Sequence, residues 1–349
     1  MATGSSSEPA TVDGRRRRPG WPAMIAVILI VVVGVGYLGA SYLVYAGVSK
    51  APRACWPADQ ANTPDRFEVP SPGDASLATS YRMPVPQDVV FHSRDPRIPD
   101  AKLAAWWIPA DGVAVADAPA AIIVHGVQSC RREPSVLLAA GMLHRNGYSV
   151  FLLDLRDHGD SEGDDEHFAA GSNEYLDVLG GWDWVRSQGV PAPRIGIEAM
   201  SFGSASALIA GGQEPQVAAV WADSAYTDTR TAIGLFLKDQ TGLPDILVPG
   251  SIMWARVVSG DDLTKFSPIE EVTHYAGRHL AFAHGEKDEV LPASMSVALR
   301  DAAVAAGAMS PDAWIVPDAG HTQGIYYDPA GYEQRLVSFF DAAIGPSGG

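Results

Sequence analysis

At 349 residues the chain is long enough for one large α/β domain with accessory segments. Its 25 Lys+Arg against 41 Asp+Glu leave a formal charge of −16. That balance argues against a nucleic-acid partner, because phosphate binding wants a basic face. The two cysteines, Cys55 and Cys130, have neither CxxC nor Cys/His spacing, so no zinc site is indicated; in an oxidising compartment they could pair, which sequence alone leaves open.

Residues 1–20 are polar, small and basic, and read as a disordered cytoplasmic tail. Arg15 to Arg18 then precede a stretch without charge from Ala23 to Ala46. As a helix it would reach about 36 Å, against a hydrocarbon core of about 30 Å. The apolar core of a secretory leader is shorter, about 7–15 residues. A buried helix would not be bracketed by four arginines and a proline-rich stretch. The expectation is a retained single-pass transmembrane helix over 23–46, with the arginines inside and the bulk of the chain outside. Tyr37, Tyr42 and Tyr45 fall near the outer interface, and Gly34, Gly36 and Gly39 do not meet the GxxxG spacing of a dimer seam. Prolines at 52, 57, 64, 70, 72, 84 and 86 with no hydrophobic period make 51–86 read as a stiff stalk that holds the remainder off the membrane.

A strand–helix rhythm begins at about residue 87. Residues 88–93 and 103–108 suggest an opening hairpin, and the wholly apolar run 120–124 a strand covered on both faces. A helix over 134–145 ends at Asn146-Gly147. Strand 148–154, helix 172–187, strand 194–197, a helix from Ser201 to about 210 and strand 217–222 follow. Strands 279–283 and 313–316 with helices 293–307 and 330–343 complete the pattern, and 344–349 read as a flexible tail. Strands alternating with helices predict a mostly parallel sheet wrapped on both faces, with chemistry at the strands' carboxyl ends. Between 226 and 267 two apolar stretches, 232–237 and 246–258, have no strand between them and read as a small helical cap.

The residues after each strand carry the chemistry. Ala199-Met200-Ser201-Phe202-Gly203 is a nucleophile elbow in which alanine replaces the usual first glycine; the helix behind it aims its N–H groups and positive dipole end at the serine. His125-Gly126-Val127 follows the third strand, and Asp154-Leu155-Arg156-Asp157-His158-Gly159-Asp160-Ser161 the fourth. His284-Gly285-Glu286-Lys287-Asp288 follows the seventh, and Gly320-His321 the eighth. Together, in the order Ser…Asp…His, these motifs resemble the α/β-hydrolase-fold serine hydrolases over about residues 85–343, nearest the bacterial esterase, lysophospholipase and serine-aminopeptidase-like branch. The resemblance implies a mostly parallel sheet of about eight strands, Ser201 as nucleophile, His321 as general base and Asp288 as its orienting acid. It also implies an oxyanion hole from the backbone N–H groups of Val127 and Phe202, and no cofactor or metal.

Other candidates have simpler readings. His125 and His284 are structural, His144 suits a helix end, and His158 and His167 read as solvated in the acidic loop 154–166. Glu286, Glu289 and Asp318 read as loop charges. No helix opens at Ser161, and the acidic run lacks the D-x-D-x-D-G order of a calcium loop. Ser201 also excludes dehalogenase and epoxide-hydrolase chemistry, which need aspartate at the elbow. The expected function is a membrane-anchored serine hydrolase acting on a carboxylic ester, with a small-molecule or lipid-like acyl substrate. A peptidase or amidase of the same fold and a non-catalytic binding protein are the alternatives.

Overall fold

The computed structural model describes residues 20–51, 55–163 and 165–345. The basic tail with Arg15 to Arg18, Pro52 in the proline-rich stretch and the last four residues of the expected C-terminal tail lie outside the described residues.

Eight strands form one sheet in the order β1-β2-β4-β3-β5-β6-β7-β8. They are β1 (Gln87–Phe91), β2 (Leu103–Ile108), β3 (Ala120–Val124), β4 (Ser149–Leu153), β5 (Ile195–Met200), β6 (Ala219–Asp223), β7 (His279–Gly285) and β8 (Trp314–Val316). β2 pairs antiparallel with β1 and β4, and every other pairing is parallel. β3 shows why its sequence is apolar throughout. Ala120, Ile122 and Val124 enter one core and Ala121 and Ile123 the other, so neither side of the strand meets water.

The helices are α1 (Trp21–Val48), α2 (Ala75–Ser80), α3 (Pro134–Arg145), α4 (Tyr175–Ser187), α5 (Phe202–Gln213), α6 (Thr229–Thr241), α7 (Val248–Val258), α8 (Pro268–Glu271), α9 (Ser294–Ala305), α10 (Gly324–Tyr327) and α11 (Pro329–Ile344). α3 and α11 cover one face of the sheet, and α4, α5 and α9 the other. Proline begins α3 and α11, where a missing N–H costs nothing. The Asp228 carboxylate caps α6 by accepting from Thr231 N, and Gly242 ends it at φ 68°. α6 and α7 fill the strandless interval and pack on each other through Leu237, Leu247, Val248 and Ile252.

α1 is 28 residues long and apolar enough to cross a membrane. Most of its length is exposed, but its last third lies on α7. Tyr37 Oη donates to Ile246 O at 3.1 Å, Trp254 Nε1 donates to Leu38 O at 2.9 Å, and Tyr42 meets the Trp254 ring edge-on. The three tyrosines therefore contact protein: Tyr45 is buried and stacks on His167.

The stand-off stalk expected over 51–86 is not what the structure has. Directly after α1, Ala51 N donates to Glu166 O at 2.8 Å and Phe168 N to Ser49 O at 2.9 Å. Cys55 and Cys130 form a disulfide. Phe67, Val69, Tyr81 and Met83 are buried with α3 and α11 in the second core. Prolines forbid a regular ladder, but they leave the apolar side chains between them free to pack.

The first part of the acidic loop after β4 also differs from expectation, because buried ion pairs hold residues 154–158 inside the protein, while Asp160 and Glu162 stay exposed. Buried Asp154 pairs with Arg131, and Arg156 lies between Asp95 at 2.6 Å and Asp177 at 2.7 Å with all three side chains buried. His158 is fully buried, its Nδ1 2.8 Å from Arg156 O, and His167 is half-buried rather than solvated.

Candidate active site

β5 ends at Met200 and α5 begins at Phe202, so Ser201 alone makes the turn, at φ 52° and ψ −119°. A non-glycine residue held there is strained. The strain is supported by Ser201 N donating to Asp223 O at 2.8 Å. The two glycine positions of the elbow have different demands. Ala199 is an interior residue of β5, fully buried in the first core, and needs no special backbone conformation. A Cβ on Gly203 would instead collide with the carbonyl oxygen of His125 and lie 2.8 Å from that of Val124.

His321 stands in the loop after β8. Its Nε2 lies 2.7 Å from Ser201 Oγ and its Nδ1 2.7 Å from Asp288 Oδ2. The Asp288 side chain is fully buried in the loop after β7. Its Oδ1 accepts from Val290 N at 2.9 Å and Leu291 N at 2.8 Å. Burial alone would raise this carboxyl's pKa, but hydrogen bonds from His284 and His321 outweigh it and hold the group well below the usual carboxylate range. His284 is a second clamp: its Nε2 is 3.0 Å from Asp288 Oδ2 and its Nδ1 2.8 Å from Ser296 Oγ. Burial opposes its charge, yet the bond to Asp288 shifts its pKa upward overall.

Three solved structures share this architecture. The Pyrococcus furiosus esterase Pf2001 superposes with a TM-score of 0.62 at 20% identity, over 85% of this chain and 97% of that one. The α/β hydrolase GrgF from Penicillium sp. gives 0.57 at 17%, over 74% and 99%. Est1E from Butyrivibrio proteoclasticus, solved with ferulic acid bound, gives 0.54 at 18%, over 73% and 99%. No family model matches the sequence, and no curated protein matches it. The chain has the α/β-hydrolase fold. Its eight mostly parallel strands place Ser201, Asp288 and His321 at the carboxyl ends of β5, β7 and β8, where an α/β-hydrolase sheet presents reactive groups.

Phe202 is the first residue of α5, so its N–H has no carbonyl one turn back to bond. Phe202 and Val127, the two backbone donors expected around a developing oxyanion, line one pocket of about 130 Å³ together with Ser201. Apart from Ser201, Gln128, Thr229 and Tyr226 the lining is apolar, with Val48 from the end of α1, Phe168, and Ile233 and Phe236 from α6. α6 thus lies over Ser201. The other histidines and acids stand apart from this site. His125 accepts from Leu155 N at 3.1 Å, is 2.7 Å from Gly126 O, and is pushed down to about 3 by burial, so it is a neutral loop brace. His144 Nε2 is 3.2 Å from Pro109 O, Asp318 pairs with Lys287, and Ser161 Oγ donates to Asp154 O. Glu286 accepts from Asp318 N. Among the described residues no cluster of three or more His, Cys, Asp or Glu side chains is arranged to hold a metal ion.

A support under the histidine loop escaped the sequence reading. Thr322 N, next to His321, donates to Ser224 Oγ at 3.1 Å, and Ser224 Oγ donates to Asp223 Oδ1 at 2.8 Å. Tyr332 Oη lies 3.0 Å from Asp223 Oδ2. Burial pushes the Asp223 carboxyl upward. Its position as the last residue of β6 was the available signal, since the carboxyl ends of the parallel strands β3 to β8 lie on the side of the site.

Proposed function

We propose that this protein is a membrane-anchored serine hydrolase that cleaves a carboxylic ester through an acyl-enzyme. The observation that carries the reading is His321, within hydrogen-bond distance of both Ser201 Oγ and Asp288. A serine hydroxyl is a weak nucleophile until a neighbouring imidazole removes its proton. In this reading Ser201 Oγ attacks the ester carbonyl as His321 Nε2 takes the hydroxyl proton. Asp288 keeps the other ring nitrogen protonated and the ring in place. The N–H groups of Phe202 and Val127 hold the tetrahedral oxyanion, one such donor being worth roughly 2.7–4 kcal/mol of barrier. Collapse transfers the proton from His321 to the departing alcohol and leaves Ser201 acylated. Water, deprotonated by His321, then releases the acid.

The anchor reading is supported by the apolar α1, the arginines ahead of it and the positive-inside tendency. The Cys55–Cys130 disulfide is consistent with an extracytoplasmic catalytic domain. An apolar pocket with no charged group to receive a peptide terminus favours an ester over a peptide substrate.

The test is labelling of membranes with a fluorophosphonate probe, comparing wild type with Ser201→Ala. Wild-type labelling that disappears in the variant is expected, with kcat falling by up to about 10⁶-fold. Equal labelling of the two, or none of wild type, refutes the reading. Protease added to intact cells should remove the domain; full protection would refute the outside placement.

A further inference from the structure

We propose that the membrane helix is also a wall of the acyl site, and that the substrate is a fatty-acyl ester lipid taken from the outer leaflet. This rests on the serine-hydrolase and anchor readings above and extends them to the source of the substrate.

Three observations converge. First, Val48, the last residue of α1, lines the same pocket as Ser201, facing Ile233 and Phe236 of α6. A tether that merely held the domain would not reach the nucleophile's cavity. Second, the pocket does not stop at Val48. A smaller cavity lined by Tyr45, Val48, Phe168, Ile233, Ser251 and Leu263 adjoins it, sharing Val48, Phe168 and Ile233 as a common wall. The volume of this open-mouthed pocket, about 130 Å³, is smaller than an apolar cavity that holds one benzene, about 150 Å³. It can therefore surround only the first few carbons of an acyl chain, and the rest must leave along an apolar path.

Third, the outer flank of the cap is apolar at the depth where lipid begins. α7 turns Gly250 and Trp254 toward α1, against Ser41 and Leu38. On the adjoining flank Met253 and Val257, one turn apart, are exposed, as are Ile246 and Leu243 just before α7. These continue the exposed apolar surface of α1 at Leu38 and Leu43. The part of α1 that meets α7 begins at Tyr37, about 24 Å along the helix from Trp21 at about 1.5 Å per residue. In a hydrocarbon core of about 30 Å that places α7 at the outer edge of the acyl region. An exposed apolar helix flank there is solvated by lipid rather than by water. The pocket mouth, with the partly exposed Phe236 at its rim, then opens beside the leaflet and not into bulk solvent.

The test uses the full chain reconstituted in vesicles of ether-linked phosphatidylcholine, which offers no ester of its own. Two esters are assayed in the same vesicles: water-soluble 4-nitrophenyl butyrate and a membrane-resident oleoyl ester of umbelliferone. Fluorophosphonate labelling counts active sites. In wild type, diluting the oleoyl ester with ether lipid at constant bulk concentration should lower its rate in proportion to its surface fraction. In Val48→Trp the ratio of oleoyl to butyrate rates per active site should fall at least tenfold. An oleoyl rate indifferent to surface dilution, or a ratio within threefold of wild type, overturns the proposal while the hydrolase reading stands. Absence of labelling and of butyrate hydrolysis in wild type overturns both.

Discussion

The two glycine positions of the elbow invite the same one-methyl experiment with opposite expected results. Ala199→Gly restores the usual motif but deletes a fully buried methyl from a strand interior. Losing that burial costs about 0.8 kcal/mol, and glycine's extra freedom in the unfolded chain adds about 0.5–1 kcal/mol. The sum, about 1.5 kcal/mol, corresponds to a Tm lower by roughly 3–6 °C for a domain of this size. Because Ser201, Phe202 and Gly203 need nothing from position 199 but a strand backbone, kcat/KM should stay within about twofold. Gly203→Ala adds the methyl where the His125 and Val124 carbonyl oxygens already stand. These are backbone atoms at the end of β3, leading into the loop that carries Val127, so relief must displace this proposed oxyanion donor. A displacement of about 1 Å is enough to cost on the order of 100-fold in kcat. Thermal unfolding followed by tryptophan fluorescence in detergent micelles, with butyrate ester kinetics alongside, reads both variants. A higher Tm or a tenfold faster Ala199→Gly enzyme would refute the reasoning, and so would an unimpaired Gly203→Ala.

Asp288→Asn should lower kcat on the order of 10⁴-fold, since the amide no longer fixes the His321 tautomer. The Asp288 carboxyl is held below its ordinary value in the fold, so its ionised form stabilises the protein above about pH 4, and this contribution fades as pH falls further. The Tm gap between wild type and variant should therefore stay level from pH 7 to about pH 4 and narrow as pH falls below that; a gap that widens in the acid range would contradict the assignment. Cys55→Ser/Cys130→Ser opens a bridge with a sequence separation of 75, a loss of about 4.5 kcal/mol from chain entropy, and should lower Tm by roughly 10 °C in a melt that no longer responds to reductant. Arg156→Met strands Asp95 and Asp177 as buried, underpaired carboxylates and should cost about 3–5 kcal/mol in urea unfolding.

Much of the sheet was legible in the sequence because parallel strands covered on both faces must be apolar at every position. The helix over 134–145 announced its end with Asn146-Gly147. The strand-end rule then brought Ser201, Asp288 and His321 into one list although they are far apart in the chain. The rule orders residues but supplies no contacts. It therefore passed over Asp223, Ser224 and Thr322, whose link depends on β6 and the histidine loop lying side by side.

Local pattern thus determined what repeats along the chain: strand and helix periods, the uncharged length of α1, and the small residues at the elbow. Tertiary structure decided everything that depends on which surfaces meet. The proline-rich segment is not a stalk, because Phe67, Val69, Tyr81 and Met83 find a core to enter. The first residues after β4, Asp154 to His158, are buried rather than solvated, because Arg131 pairs with Asp154 and Arg156 with Asp95 and Asp177 inside the fold. Alanine is accommodated at 199 but not at 203, because only position 203 faces backbone carbonyls. The end of the long apolar helix α1 reaches the pocket of Ser201 because α7 gives its last third a protein surface to lie on, a juxtaposition that no period in the sequence encodes.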